Sequence, residues 1–193
     1  MSCNNAPDNT LDRMNTPPLA VTVREVGRSD DLVALTALIR AAYAPLAERG
    51  LKYWATHQSP EDTAKRFSRG HGFVALIHGE IVATIALSRP DTDSKVELLR
   101  DAQTWSFGQF AVAPAHKNRG YGRQIHDFAL KRAADFGCVV MALHTAQPAS
   151  HLIEMYRSWG YCEVGTCDWR PHTNYLSVLM TRQVSAVRTI NAV

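Results

Sequence analysis

No stretch of this 193-residue chain is apolar for long enough to span a bilayer. The longest candidate, Leu32 to Leu46, is broken by Thr36 and Arg40 and reads as an amphipathic helix. Cysteine is scarce. Cys3, Cys138, Cys162 and Cys167 lack the spacing of a metal site, so reduced thiols and a cytoplasmic setting are expected, with no metal. Charge of one sign is also lacking: 21 Lys and Arg stand against 18 Asp and Glu, and the net +3 is spread along the chain. A dedicated nucleic-acid binder would cluster its cations, so no nucleic-acid partner is expected, and no membrane partner either. The first residues are polar and rich in Asn and Pro, without the apolar core of a signal peptide. There is no internal repeat and no low-complexity tract. Hydrophobic residues make up 46% of the chain, enough for a core that needs neither disulfide nor metal.

The most informative segment is Phe110-Ala-Val-Ala-Pro-Ala-His-Lys-Asn-Arg-Gly-Tyr-Gly-Arg123. It reads as a strand, a short basic turn, and two glycines at the mouth of a helix. Ile125, Phe128, Ala129, Ala133 and Phe136 fall on one face of that helix, and Gly137 supplies its stop. Such a helix end presents unpaired N–H groups and the positive end of a dipole. Gly120 and Gly122 would remove Cβ atoms that keep an anion away, and Lys117, Arg119 and Arg123 add charge. The turn therefore reads as a phosphate cradle. A P-loop is excluded because Arg123 and Gln124 follow Gly122, and a dinucleotide fingerprint because Ile125 stands where a third glycine belongs.

The spacing Phe110-x-Val112-x-Pro114-x-x-Lys117-x-x-Gly120-x-Gly122 resembles the acetyl-coenzyme A signature of the GNAT N-acetyltransferase superfamily. A second segment agrees with it. The apolar run Val139 to Leu143 leads through His144 and Thr145 to a helix, His151 to Trp159, ended by Gly160 and Tyr161. This resembles the family's other signature, Tyr-x-x-x-Gly-aromatic, here Tyr156 to Tyr161. The resemblance implies an α/β fold with a mixed central sheet of about seven strands flanked by about four helices. It implies acetyl-CoA as co-substrate, held by Phe110, Ala111, Val112, Lys117, Asn118, Arg119, Gly120, Tyr121, Gly122 and Arg123. The amides of residues 110–112 would polarise the thioester carbonyl, and Tyr156 would protonate the departing thiolate. Many family members carry asparagine where this chain has Ala149, so Ser150 or His151 would supply that contact or leave it absent.

Acetyl transfer to an amine also needs a route for the amine's proton. Some family members use a glutamate on strand four, but Gln109 precedes Phe110 here. His144 has a suitable intrinsic pKa, a water relay is the alternative, and Glu97 reads as solvated. Tyr43, Tyr53, Trp54 and His57, with Trp169, His172 and Tyr175 opposite, would line the site of a small-molecule or peptide amine. Gln109 and Ala149 also leave open a non-catalytic acyl-CoA-binding module, or use of another acyl-CoA. A homodimer is left open.

The order of elements follows from turn and cap signals. A strand is expected over Ala20 to Val26. A helix capped by Asp30 or Asp31 should turn Leu32, Leu35, Leu38, Ile39 and Tyr43 inward. A second helix should start at Ser59-Pro60-Glu61-Asp62 and end near Gly70. A hairpin turns at His78-Gly79-Glu80, strand four runs from Trp105 to Val112, and closing strands cover Glu163 to Trp169 and Tyr175 to Thr181. Residues 1–19 read as a flexible arm, 20–182 as one N-acetyltransferase domain, and 183–193 as a tail.

Overall fold

The computed structural model describes residues 21–184; Ala20, Cys3 and most of the expected arm and tail lie outside them. Strand β1 (Thr22–Glu25) is followed by helices α1 (Leu32–Glu48) and α2 (Pro60–Phe67). Strands β2 (Gly70–Ile77), β3 (Glu80–Ser88) and β4 (Thr104–Val112) come next, then α3 (Tyr121–Asp135), β5 (Val140–Ala146), α4 (Ser150–Ser158), β6 (Cys162–Asp168) and β7 (Leu176–Gln183). The expected order of elements holds throughout, with boundaries shifted by a few residues.

Local chemistry sets the helix starts. The Asp31 side chain accepts the N–H groups of Val33 and Ala34, while Asp30 turns instead to Arg24. Ser59 and Asp62 close a reciprocal capping box on α2, with Pro60 in the first turn. An N-cap of this kind contributes about 1 kcal/mol. Leu35 and Ile39 are buried along α1, with Leu32, Leu38 and Tyr43 half-buried.

The seven strands lie in the order β1-β2-β3-β4-β5-β7-β6. Every neighbouring pair is antiparallel except β4 and β5, which run parallel. Side chains alternate across the sheet, so it has two cores. Phe73, Ile85, Leu87, Trp105, Phe107, Met141 and Leu143 pack against Ile125, Ala129 and Ala133 of α3 and Ile153 and Tyr156 of α4. Val74 and Ala86 face the other way, onto Leu35 of α1 and Phe67 of α2. Among the described residues no helix is long and apolar enough to cross a membrane.

Candidate functional site

The site begins where β4 and β5 part. Their pairing holds for Thr104–Val140, Trp105–Met141 and Ser106–Ala142 and then stops, although both strands continue. Beyond that point β4 keeps only its β3 partner and β5 only β7. The cause is a bulge. Gly108 pairs with Ala86 and Ala111 with Thr84, so Gln109 and Phe110 face the single residue Ile85. Gln109 takes φ +51, a conformation costly for a residue with a Cβ. The bulge reverses the strand's alternation. Phe107 and Phe110 both lie on the α3 side, with ring centroids 6.0 Å apart, while Gly108 and Gln109 both face α2. Gln109 is 2% exposed and accepts a 2.7 Å hydrogen bond from Gln58, which also donates to the Thr63 hydroxyl. Buried hydrogen bonds thus over-determine the strained residue and fix the notch.

One rim of the notch is the basic turn. Asn118 and Gly120 adopt left-handed φ of +60 and +77, and Gly120 caps α3. The first helical hydrogen bond is Gln124 N–H to the Gly120 carbonyl, so the N–H groups of Tyr121, Gly122 and Arg123 point out of the helix end. Gly122 also serves the packing of α3 on β4: a Cβ there would stand 3.2 Å from the Phe110 ring and 3.3 Å from Val112, tighter than an ordinary contact. The three cations also divide. Lys117 donates to the Ala42 carbonyl at 2.9 Å and ties the turn to α1. Arg123 pairs with Asp127 and lies 5.5 Å over the Trp159 ring. Arg119 is exposed.

The other rim is aromatic. Tyr43 of α1, Tyr53, and Tyr175 just before β7 form a chain of rings with centroids 5.4 and 5.0 Å apart. The Tyr53 hydroxyl accepts from the Ala146 N–H and bonds Thr145, each at 3.0 Å, pinning the segment before α2 to the end of β5. Trp54 meets His57 and His172, so the two expected walls touch. Tyr156 is 7% exposed on α4; burial, with Tyr43 and Tyr53 adding to it, holds its hydroxyl protonated well above its usual range. Burial likewise pushes Tyr43 up to about 12.

His144 lies within β5, not beyond its end. The residue is exposed, yet protein crowds its ring, which tilts over Trp169 at 5.3 Å. That desolvation, with the charge of Arg66, pushes its pKa down from the intrinsic 6.5 to about 4. His151 is exposed on the first turn of α4, 3.5 Å from Arg49, and Ala149 caps the helix without any side-chain bond. Glu97 lies in a short turn before β4, as expected of a loop acid.

Two residues escaped the sequence reading. Arg66 of α2 packs on Gly108, where a Cβ would stand 3.3 Å from its Nη2. His126, at 1% exposure, joins Tyr161 at 2.9 Å and Asp127 at 3.1 Å beneath the basic turn. Both sit on helices whose pattern reads as ordinary solvated or apolar faces. Gly108, breaking a strand otherwise rich in aromatics, was the available signal for the first.

Known proteins share this fold. The ribosomal-protein-S18-alanine N-acetyltransferase of Escherichia coli superposes with a TM-score of 0.66 at 15% identity, covering 90% of this chain and all of its own. A GNAT family acetyltransferase from Elizabethkingia anophelis, with acetyl-CoA bound, gives 0.62 at 15% identity over 84% of this chain and 97% of its own. The human N-acetylaspartate synthetase is 25% identical over 147 residues, 68% of this chain but only 46% of that protein, so this chain matches about half its length. The acetyltransferase (GNAT) family model matches residues 40–161, most of the described fold. The chain belongs to the GNAT acetyltransferase family.

Proposed function

We propose that this protein transfers an acetyl group from acetyl-CoA to a primary amine, by direct attack within a ternary complex. The observation that carries this reading is the notch itself: an unpaired edge of β4 runs beside the start of α3, with the Tyr156 ring packed against Phe107 of the same strand. The pyrophosphate of the coenzyme would meet the N–H groups of residues 121–123 and Arg119, and its extended arm would lie along β4. Amides of Phe110, Ala111 and Val112 that face the notch would polarise the thioester carbonyl and hold the oxyanion formed by attack. Each such donor is worth roughly 3–4 kcal/mol.

Tyr156 keeps its proton across the working pH range, so it would donate a hydrogen bond to the developing thiolate. Gln109 has no acidic proton chemistry to offer and its side chain is tied to Gln58. His144, neutral near pH 7, can accept a hydrogen bond from the attacking amine, but Arg66 disfavours its imidazolium. A water relay to solvent is therefore the favoured exit for the amine's proton. The relatives named above include one making N-acetylaspartate and one acting on a ribosomal-protein alanine, so they span small-molecule and peptide acceptors.

The test is an amine panel assayed for free thiol with acetyl-, propionyl- and succinyl-CoA. Amine-dependent thiol release, fastest with acetyl-CoA, is expected. Coenzyme binding without turnover on any amine would favour a non-catalytic module.

A further inference from the structure

Arg66 occupies an unusual position for a cation. It projects from the last turn of α2 onto the face of β4 that the bulge exposes, against Gly108. A side chain at 108 would crowd the guanidinium, so glycine lets it lie on the strand at the mouth of the notch. The residue is partly buried and makes no ion pair or hydrogen bond among the described residues. Its natural helical partner four residues earlier, Asp62, is committed to the capping box through the Ser59 N–H at 3.0 Å. Asp62 still lends its charge from one turn away without touching the guanidinium, and the other groups that feel the charge are Tyr43, His144 and Arg69, none of them an anion at neutral pH. A partly buried guanidinium with no carboxylate in contact keeps its donors available, and an anionic ligand at the mouth of the notch would give them a partner.

We propose that Arg66 is the anchor for a carboxylate on the acceptor, so that the amine acetylated here belongs to an amino-carboxylate such as a free amino acid. Planar, bidentate pairing of guanidinium with carboxylate suits that role. The anchor lies against Gly108, where β4 has parted from β5, on the α2 side of the sheet and within electrostatic reach of Tyr43. The basic turn that would take the coenzyme's phosphates is built on α3, whose core lies on the opposite face. A carboxylate held by Arg66 would present its amine toward the notch, beside His144. Neutralising Arg66 would also lift the constraint it places on the His144 ring.

This inference rests on the acetyl-transfer reading for its substrate, and its test separates the two. Thiol release is compared for amino acids and their decarboxylated amines, in the parent and in Arg66→Met, which keeps an unbranched stem. The parent should favour amino acids by about 10²-fold in kcat/KM, the scale of one charge-assisted contact. Arg66→Met should bring that ratio near unity while coenzyme affinity stays as in the parent. No preference in the parent, or equal loss for both amine classes in the variant, overturns the proposal. Calorimetric titration with the same amino acids in the presence of CoA supplies a readout free of turnover. Binding lost in Arg66→Met supports the anchor even if no amine releases thiol, an outcome that would sink acetyl transfer alone. No amino-acid binding by the parent sinks the anchor.

Discussion

Gln58 donates its amide to the Gln109 carbonyl oxygen at 2.7 Å, and this buried pair holds the bulge that parts β4 from β5. The Gln109 amide also reaches the Thr63 carbonyl at 3.4 Å, and Thr63 meets Thr36 at 2.7 Å, so α1, α2 and β4 share one polar network. Such networks specify geometry when satisfied and are costly when broken. Gln109→Ala should lower stability by about 1–3 kcal/mol, because it strips partners from buried groups and keeps the strained φ. Chemical denaturation reads this directly. Turnover should fall further than stability alone explains, since the amides of residues 110–112 follow the bulge. A variant of parental stability and rate would remove the network from the account of the notch.

Gly120 and Gly137 sit at opposite ends of α3 with nearly the same left-handed φ, +77 and +86. Alanine at either position should cost about 1 kcal/mol of stability from the backbone alone. Only Gly120→Ala should also weaken CoA binding, because only that end of the helix offers free N–H groups. Matched denaturation and CoA titrations of the two variants separate strain from ligand contact. Equal CoA affinity in both would count against the cradle.

The sequence made the cradle and the tyrosine helix readable because both depend on local chemistry: a glycine that must take positive φ, a helix start, a short strand before each. The β-α-α-β-β-β order was legible for the same reason, since caps such as Ser59 and turns such as His78-Gly79 mark element ends. Long-range features were not. Nothing near Gln109 announces that its partner is Gln58, some fifty residues earlier. Arg66 follows Asp62 at helical spacing, and only the fold brings its guanidinium onto Gly108 while the Asp62 carboxylate closes the capping box. That Gly122 also clears the Phe110 ring was not readable, because that ring is brought there only by the reversed phase of β4.

Tyr156→Phe deletes one hydroxyl from a ring packed near Phe107, Trp159 and Tyr161. Packing and coenzyme affinity should change little, while turnover falls by roughly 10²-fold. Because the hydroxyl ionises well above its usual range, the parent should show no alkaline loss from this group up to about pH 10. Single-turnover rates isolate the chemical step, and an unchanged rate there would leave Tyr156 with packing alone.

His126 links pH to stability. Burial pushes its pKa down to about 4 from an ordinary 6.5, despite the neighbouring Asp127, so the unfolded chain binds the extra proton more readily. The sign follows: its contribution is complete above about pH 6.5 and is lost as the pH falls toward 4. The shift corresponds to roughly 3 kcal/mol. Denaturation midpoints should therefore drop between pH 6.5 and 4 in the parent, with a shallower slope in His126→Gln. Parallel slopes would assign the acid sensitivity to other groups.

His144 is the sharpest test of how the amine loses its proton. Were it a base with an ordinary pKa, the rate would rise through pH 6.5. Crowding by protein and the Arg66 charge place that ionisation near 4 instead, so the ring is already neutral across the neutral range. The parent's rate from pH 6 to 9 should then follow the free amine's own ionisation, and His144→Gln should keep the same profile shape at a lower amplitude. Arg66→Met removes a charge that opposes the imidazolium, so the His144 ring should titrate at higher pH in that variant, a shift visible in its ring-proton NMR signals. An acidic limb near 6.5 in the parent that vanishes in His144→Gln would restore the histidine as proton acceptor. Its absence leaves water as the carrier and gives the β5 histidine the task of orienting the amine.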